Sequence, residues 1–418
     1  MKIRKDAAFI IIATYLIISV LLILIISFAA RSVSEMGSAS RRNNAMQAFY
    51  LAESGIDSAL VWLRTSYPAA LPYNSGTVNL GNGSFSFTVS SPVSLVYNVE
   101  STAVVGNENK TIKATFSDDH YARYAYFTDQ ERFMGINVWF VDGDLLKGPV
   151  QTNGRFKIKG GPVFEGEVKS GDNYIRYYNN GNPKNLSSSS NPPYDMPDFQ
   201  QGIDLGADPV AMPASALNLR TAASGGGIFL TGNSAIAFNA DGTMNVTNAN
   251  KGWNNFNTSI PANGAIFVDN GDLDISGTVK GSVSVGSERD IIVSDNVVYS
   301  DDPRVNPDSA DKLGIVAEKN VIIPQSAPYD LEIDASIMAL GSSFTVFKYW
   351  QGPPKGTLTV YGGIIQNQRG PVGTFDGSTG EKLSGYNKDY SYDSRFTSNP
   401  PPYNPTTGDY IITSWREE

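Results

Sequence analysis

The first 66 residues of the chain have the hydrophobic pattern of one long helix in two parts. From Ala7 to Ala30 no charged residue occurs, and at 1.5 Å per residue this run is about 36 Å long, enough to cross a bilayer. Residues 31–66 become amphipathic, and no proline occurs before Pro68. The pattern predicts a transmembrane helix over 7–30 that continues as an amphipathic helix over 31–66.

The amphipathic half carries one apolar stripe that predicts a packing face. At 100° per residue the stripe consists of Met46, Phe49, Ala52, Ile56, Leu60 and Leu63. Glu53 falls inside it, one turn from Phe49. We expect Glu53 to be a structural carboxylate that accepts hydrogen bonds beneath a sheet, because a buried acid needs partners. A contact with the helix of another subunit is the alternative for Glu53.

Residues 67–117 predict the sheet that this helix face would cover. Apolar and polar residues alternate in four short segments, and Gly, Asn, Ser and Pro separate them. The pattern is typical of a small antiparallel meander, which needs a cover on one face. The expected strands are 77–80, 84–89, 95–101 and 111–116.

The charges at the two ends of the apolar run bear on its orientation. The basic leader, residues 1–6, contains Lys2, Arg4 and Lys5, and Arg31 follows the run directly. The polar, cysteine-free remainder favours a cytoplasmic N-terminus with the bulk of the chain outside the cytoplasm. A cleaved signal peptide is the alternative, because residues 27–29, Ser-Phe-Ala, have the form of a cleavage site.

From about residue 118 the pattern changes to many short strands that end at Gly, Asn or Asp. Two stretches, 140–150 and 267–279, resemble each other, as FVDGDLLKGPV and FVDNGDLDISGTV. Stacked short strands of this kind predict a β-solenoid over 118–361, and an antiparallel sandwich is the alternative. The Ser/Asn/Pro-rich residues 179–200 predict an exposed loop. The Tyr/Pro-rich residues 362–418 predict an irregular aromatic cap, with an aromatic ligand platform as the alternative.

The N-terminal residues resemble a known family. In this chain a basic head and an uncharged span are followed by the segment NNAMQAFYLAESGIDSAL and a short meander. This order is similar to the N-terminal region of PilX-type type IV pilus proteins. The resemblance covers about residues 1–116 and rests on Ala48, Phe49, Ala52, Glu53, Gly55 and Ile56. It implies a pilin-like helix on an antiparallel sheet and association with pilus assembly. The segment Asp6-Ala7-Ala8-Phe9 departs from the family, because it lacks the glycine of prepilin cleavage sites, and the span lacks an acid.

The rest of the chain resembles a family of uncharacterised bacterial envelope proteins. The resemblance rests on segments such as DGDLLKGPVQTNG, SERDIIVSDNVVY and YDSRFTSNPPPY. Members join a PilX-like N-terminus to a Gly/Asn-rich β-repeat region. The resemblance implies architecture and an envelope setting, and it implies no activity.

Composition removes several function classes. The 418 residues carry a net charge of −9, and no basic stripe occurs, which argues against a nucleic-acid partner. The absence of cysteine excludes disulfides and thiolate sites. The single histidine, His120, is expected at the surface and cannot form a histidine metal cluster. Acidic residues in the predicted turns give a weak indication of calcium binding: Asp269, Asp272, Asp274, Asp290, Asp295, Asp301 and Asp302.

Together the residues predict a mainly β, membrane-anchored protein without catalytic residues, bound cofactor or required metal. The expected role is a minor pilin-like component of a type IV pilus or related assembly that displays an extracytoplasmic β-solenoid. The expected partners are the cytoplasmic membrane, pilin-like subunits or pilus assembly machinery, and a surface glycan or host surface. Two alternatives stay open: a single-pass envelope protein outside any filament, and a carbohydrate-active solenoid enzyme.

Overall fold

The computed structural model describes residues 3–66, 70–93, 95–179, 182–186, 197–376 and 381–418. The chain forms two compact units. The first consists of Met1–Asp119 and Gly408–Glu418, and the second of His120–Thr407. The second unit is therefore an insertion in the sequence of the first.

The described residues form two α-helices, two short 3-10 helices (Tyr121–Arg123 and Ser394–Thr397) and 33 strands. The α-helices are α1 (Ile3–Thr65) and α2 (Leu217–Ser224). The first seventeen strands are β1 (Tyr73–Asn74), β2 (Val78–Leu80), β3 (Gly83–Val93), β4 (Val96–Val105), β5 (Glu108–His120), β6 (Tyr126–Gln130), β7 (Arg132–Phe133), β8 (Ile136–Asn137), β9 (Leu145–Lys147), β10 (Val150–Thr152), β11 (Lys157–Lys159), β12 (Val163–Phe164), β13 (Val168–Ser170), β14 (Ile175–Asn179), β15 (Asn182–Leu186), β16 (Asp198–Phe199) and β17 (Ile203–Leu205). The remainder are β18 (Ile228–Thr231), β19 (Ser234–Phe238), β20 (Thr243–Asn248), β21 (Trp253–Ser259), β22 (Ala265–Asp269), β23 (Leu273–Val279), β24 (Ser282–Ser287), β25 (Ile291–Tyr299), β26 (Lys312–Ala317), β27 (Val321–Ile323), β28 (Leu331–Ala339), β29 (Phe344–Val346), β30 (Pro354–Gln368), β31 (Gly373–Phe375), β32 (Lys382–Tyr392) and β33 (Thr406–Glu417).

The first unit is a helix packed on an antiparallel sheet, as the sequence predicts. Strands β3, β4 and β5 form the meander, and the order across the sheet is β1-β3-β4-β5-β33. Alternate residues of the meander face α1 and are buried, because successive side chains of a strand point to opposite faces. These residues are Phe85, Phe87, Val89, Tyr97, Val99, Ala103, Ile112, Ala114 and Phe116.

The last strand of the chain corrects the prediction of an aromatic cap over 362–418. Strand β33 lies beside β5 and extends the sheet of the first unit. The Tyr410 hydroxyl donates to the carbonyl of Leu63 at 3.3 Å, and the Trp415 ring contacts the Phe49 ring edge-on at 6.2 Å. The physical reason is pairing: alone, β5 would present an open strand edge, and β33 supplies its partner.

The second unit is built from parallel ladders in which short strands stack one above another. The longest ladder runs β18-β22-β24-β26-β28-β30-β6-β10-β13-β17, and every pairing in it is parallel. Its order departs from chain order, because β6, the first strand of the unit, lies between β30 and β10. We call this β30–β6 junction the seam. One column of side chains along this ladder forms the core: Ile228, Ile266, Val285, Ile315, Ile337, Ile364, Tyr126, Val150, Val168 and Ile203.

Two more sets of stacked strands enclose the same core. A second parallel ladder passes through the seam, where Tyr390 of β32 pairs with Leu146 of β9. A third ladder, β19-β23-β25-β27-β29, ends before the seam. Beyond the seam its place is taken by a separate three-stranded sheet, β11-β14-β15, and by a bridge between Phe140 and Ile158. The third ladder is therefore interrupted at the seam.

Two further sequence expectations differ from the structure. Residues 182–186, expected in a loop, form strand β15 and pair antiparallel with β14, while residues 187–196 lie outside the described part of the chain. Tyr386 and Tyr390, expected in the cap, are buried members of the ladder core. Strand β32 carries both tyrosines inward because it stacks on β30 like any other rung.

A fully buried ion pair lies at the seam. Arg369 Nη1 donates to Glu131 Oε2 at 2.9 Å, and each side chain is only 1% exposed. The Arg369 guanidinium also lies 3.3 Å from the centre of the Phe140 ring. The Tyr126 hydroxyl accepts from the Gln366 amide at 2.9 Å beside it. The seam is thus held by paired polar groups as well as by apolar packing.

Arg369→Met is expected to lower the stability of the second unit by about 3–5 kcal/mol, because Glu131 would stay buried without its partner. The double variant Arg369→Met with Glu131→Gln is expected to lose less than Arg369→Met alone. Thermal unfolding of the full chain in detergent measures both. The control is Arg289→Met, whose ion pair with Asp272 is half exposed and should contribute under about 1 kcal/mol. The prediction is wrong if the double variant loses as much stability as the two single variants together.

Candidate functional site

Helix α1 is the candidate site, and its first half leaves its apolar residues without protein contacts. Every large apolar side chain from Phe9 to Phe28 is exposed, with Phe9 at 72% and Ile25 at 68%. The helix is long and apolar enough to cross a membrane by length and composition. So large an apolar surface requires a non-aqueous cover.

The second half of α1 packs on the sheet through a face that the predicted stripe only partly matches. Ala52, Ile56 and Leu63 are buried, and Phe49 and Leu60 are partly buried against the same core. Met46 is 59% exposed, so its expected place in the packing face is wrong. The centre of the face is formed by small residues, of which the predicted stripe contains Ala52 but not Ala48, Gly55 or Ala59.

Gly55 marks the closest approach of α1 to the sheet. A Cβ atom at Gly55 would lie 2.1 Å from Ser101 Oγ of β4 and 3.0 Å from the Phe85 ring. No real Cβ tolerates the first distance, so the backbone of the helix contacts the strand directly at this point. Ser101 Oγ is itself buried and has no hydrogen-bond partner within the described residues. The glycine is therefore required by packing.

Glu53 lies at the edge of this face, and the expectation of a buried, hydrogen-bonded carboxylate beneath the sheet is not met. The residue is only partly buried. Within the part of the chain that the structure describes, its carboxylate makes no hydrogen bond and no ion pair. It lies two turns from the exposed Met46.

The charges around α1 are surface charges where the structure describes them. Arg31 pairs with Glu35 at 3.0 Å, and Arg64 pairs with Asp409 of β33 at 2.8 Å. Both pairs are exposed and contribute little to stability. The side chains of Lys2, Arg4 and Lys5, the other predicted membrane-flanking residues, lie outside the described residues.

Buried titratable groups lie at the end of β5, among them Asp118 and His120. Burial raises the pKa of Asp118 to about 6, and a hydrogen bond from Tyr97 opposes the shift. Burial also lowers the pKa of His120 to about 4, with the Arg123 charge acting in the same direction. His120 is 6% exposed, so the expectation of a surface histidine is wrong. Strand β5 carries His120 into a packed position because the strand continues to this residue.

The acids considered for calcium have protein partners instead of a common centre. Asp272 pairs with Arg289 at 3.3 Å, Asp302 with Arg304 at 2.8 Å, and Asp290 accepts from Asn320 at 2.9 Å. Among the described residues, no group of three or more His, Cys, Asp or Glu side chains could hold a metal ion. Calcium binding stays an untested prediction.

Comparisons with known proteins give a partial family match and a similar solved structure. A family model described as a domain of unknown function (DUF4900) matches residues 93–172, less than half of the chain. The crystal structure of the competence-associated pilin ComZ from Thermus thermophilus is similar at 12% identity, covering 90% of this chain and 97% of that chain, with a TM-score of 0.33. A TM-score of this size does not establish a shared fold. No curated protein matches the chain.

Gly55→Ala is expected to destabilise the first unit by about 1–3 kcal/mol, because the new methyl group would overlap Ser101 Oγ. The double variant Gly55→Ala with Ser101→Ala should recover part of the loss, since it removes the closest atom. Ser101→Ala alone should be neutral or stabilising, because a buried hydroxyl without a partner is removed. Thermal unfolding of the full chain tests all three, and a double variant no better than Gly55→Ala would refute the overlap.

Asp118→Asn is expected to change how stability depends on pH. Because the folded pKa of Asp118 is about 6, above its unfolded value, the folded chain binds more protons between these values. The stability due to the protonated acid is therefore present below about pH 4 and lost as the pH rises through 6. Between pH 4 and pH 7, the free energy of unfolding of the variant should rise by about 2 kcal/mol relative to that of the natural chain. Denaturant unfolding measures the gain, and exposed Asp57→Asn, the control, should show none.

Proposed function

We propose that this chain is a membrane-anchored, minor pilin-like structural component of a type IV pilus or related assembly. The observation that carries the proposal is helix α1. Its first half exposes an unbroken apolar surface, and its second half packs on an antiparallel sheet. One helix thus combines an anchor with the spine of a folded unit. The first half inserts in the cytoplasmic membrane, with the N-terminus in the cytoplasm and both units outside.

In this proposal the second unit is a displayed β-solenoid. The parallel pairing of successive short strands supports it, because such ladders bury one continuous core and present rigid flanks. Adhesion or assembly is the role of those flanks, and no catalytic step is assigned to them. The partners are pilin-like subunits or the pilus assembly machinery, met through the exposed side of α1 around Met46 and Glu53.

One sequence feature favours a second candidate function. The segment Asp6-Ala7-Ala8-Phe9 contains no glycine, and the apolar run contains no acid, whereas prepilins are expected to have both. A single-pass envelope protein that never enters a filament needs neither. The two functions share the anchor and differ in the processing of the N-terminus.

N-terminal mass analysis of the protein from native membranes, with and without the prepilin peptidase, separates the two functions. If the chain enters the pilus pathway, its N-terminus begins near Ala7–Phe9, and this trimming disappears without the peptidase. An intact Met1 in both strains would overturn the pilus proposal and leave the single-pass protein. Recovery of the full chain in the soluble fraction would contradict both functions, because each requires the anchor.

A further inference from the structure

A groove opens at the seam of the second unit, where the third ladder is interrupted. Its volume is about 310 Å³, near the lower end of the range of about 300–1,000 Å³ typical of small-molecule sites. One wall comes from residues 133–144, and the other from residues 371–375, residues 382–388 and Tyr349. Both walls lie in the second unit.

Aromatic rings form much of this groove. The rings are Phe133, Trp139, Tyr349, Phe375 and Tyr386. Phe133 and Tyr349 contact each other edge-on at 6.1 Å, and Trp139 contacts Tyr178 edge-on at 5.7 Å, so neighbouring rings hold these side chains. A fixed ring of this kind presents a flat apolar face to a ligand.

The charged groups of the groove are balanced and already engaged. Asp144 pairs with Lys388 at 2.6 Å and also accepts from the backbone N–H of Val141. Lys382 donates to the carbonyls of Lys355 and Gly356, and Asp142 accepts from Gly161 at 2.6 Å. Two cations and two anions cancel, so the lining favours no ligand charge of either sign.

Several neutral hydrogen-bonding groups of the groove have no partner. Within the described residues, the side-chain amides of Asn137 and Asn387 and the indole N–H of Trp139 make no hydrogen bond. Asn137 and Asn387 are both exposed. The groove therefore offers donors and acceptors next to flat apolar faces. A purely apolar occupant would leave these groups unpaired where it displaces water, at a cost in affinity.

We propose that this groove binds a short neutral saccharide. A sugar ring has an apolar face of C–H groups that stacks on an aromatic ring, and hydroxyls at its rim that both donate and accept. Trp139 and Tyr349 supply the stacking faces, and Asn137 and Asn387 meet the hydroxyls. This inference does not depend on membrane anchoring or on entry into a pilus, because every residue it uses lies in the second unit.

Titration calorimetry of the full chain tests the proposal, in a detergent whose headgroup contains no sugar. The probes are maltotriose and chitotriose as neutral saccharides, and trigalacturonate as an anionic one. The natural chain is expected to bind at least one neutral probe. Trp139→Ala and Tyr349→Ala should each raise its Kd by about tenfold or more, and Asn387→Ala by less. Tyr329→Ala, a 66% exposed ring outside the groove, should leave the Kd unchanged.

Three results would overturn the proposal. These are the absence of binding to both neutral probes, tighter binding of trigalacturonate, and an equal loss of affinity in Tyr329→Ala. Trp139→Phe keeps a smaller aromatic ring and loses the indole N–H, so it should fold and raise the Kd less than Trp139→Ala. This series separates loss of stacking from loss of folding. None of these results depends on the N-terminal processing that tests the proposed function.

Discussion

The pairing of Tyr126–Gln130 between Val150–Thr152 and Ile364–Gln368 is the contact on which the second unit depends. It joins the first rungs of the unit to the last, so that both stacks share one core. Without it, two short stacks would each expose a ladder end with unpaired backbone groups. Stacked strands gain most of their stability from neighbours, which makes a central pairing more costly to lose than a terminal one.

The chemistry of the seam follows from this joining of distant segments. Along a second inward-facing column of the same ladder, Ala317 and Ala339 are followed by Gln366, Thr128 and Thr152, and the buried Arg369–Glu131 pair lies at the same seam. Polar groups that must all be paired admit fewer alternative registers than an apolar column does. The same joining interrupts the third ladder and leaves the groove. One topological feature thus accounts for the buried polar groups at the seam and for the aromatic groove.

The sequence predicted the elements that follow from local periodicity. It did not predict the pairing of strands that are distant in the chain. The two-part helix and the antiparallel meander follow from local patterns of 3.6 and 2 residues, and the structure contains both. The destination of Thr406–Glu417 has no local signal, because its partner β5 lies almost 300 residues earlier. A stripe of large residues does not show where a helix approaches a sheet most closely, so the place of Ala48 and Ala59 at the centre of the packing face was not predicted. The aromatic residues of the groove come from separate segments that no spacing connects.

The position of β33 has a consequence for biogenesis. A chain exported N-terminus first would deliver α1 to the membrane early, while the strand that completes its sheet would emerge last. During that interval β5 would present an open edge, and the whole second unit would have to cross before the edge closes. Closing so long a loop is slow compared with local folding, and exposed edges attract other chains. Under the proposed export of the chain, translocation is therefore the stage at which the edge of β5 is most open to mispairing.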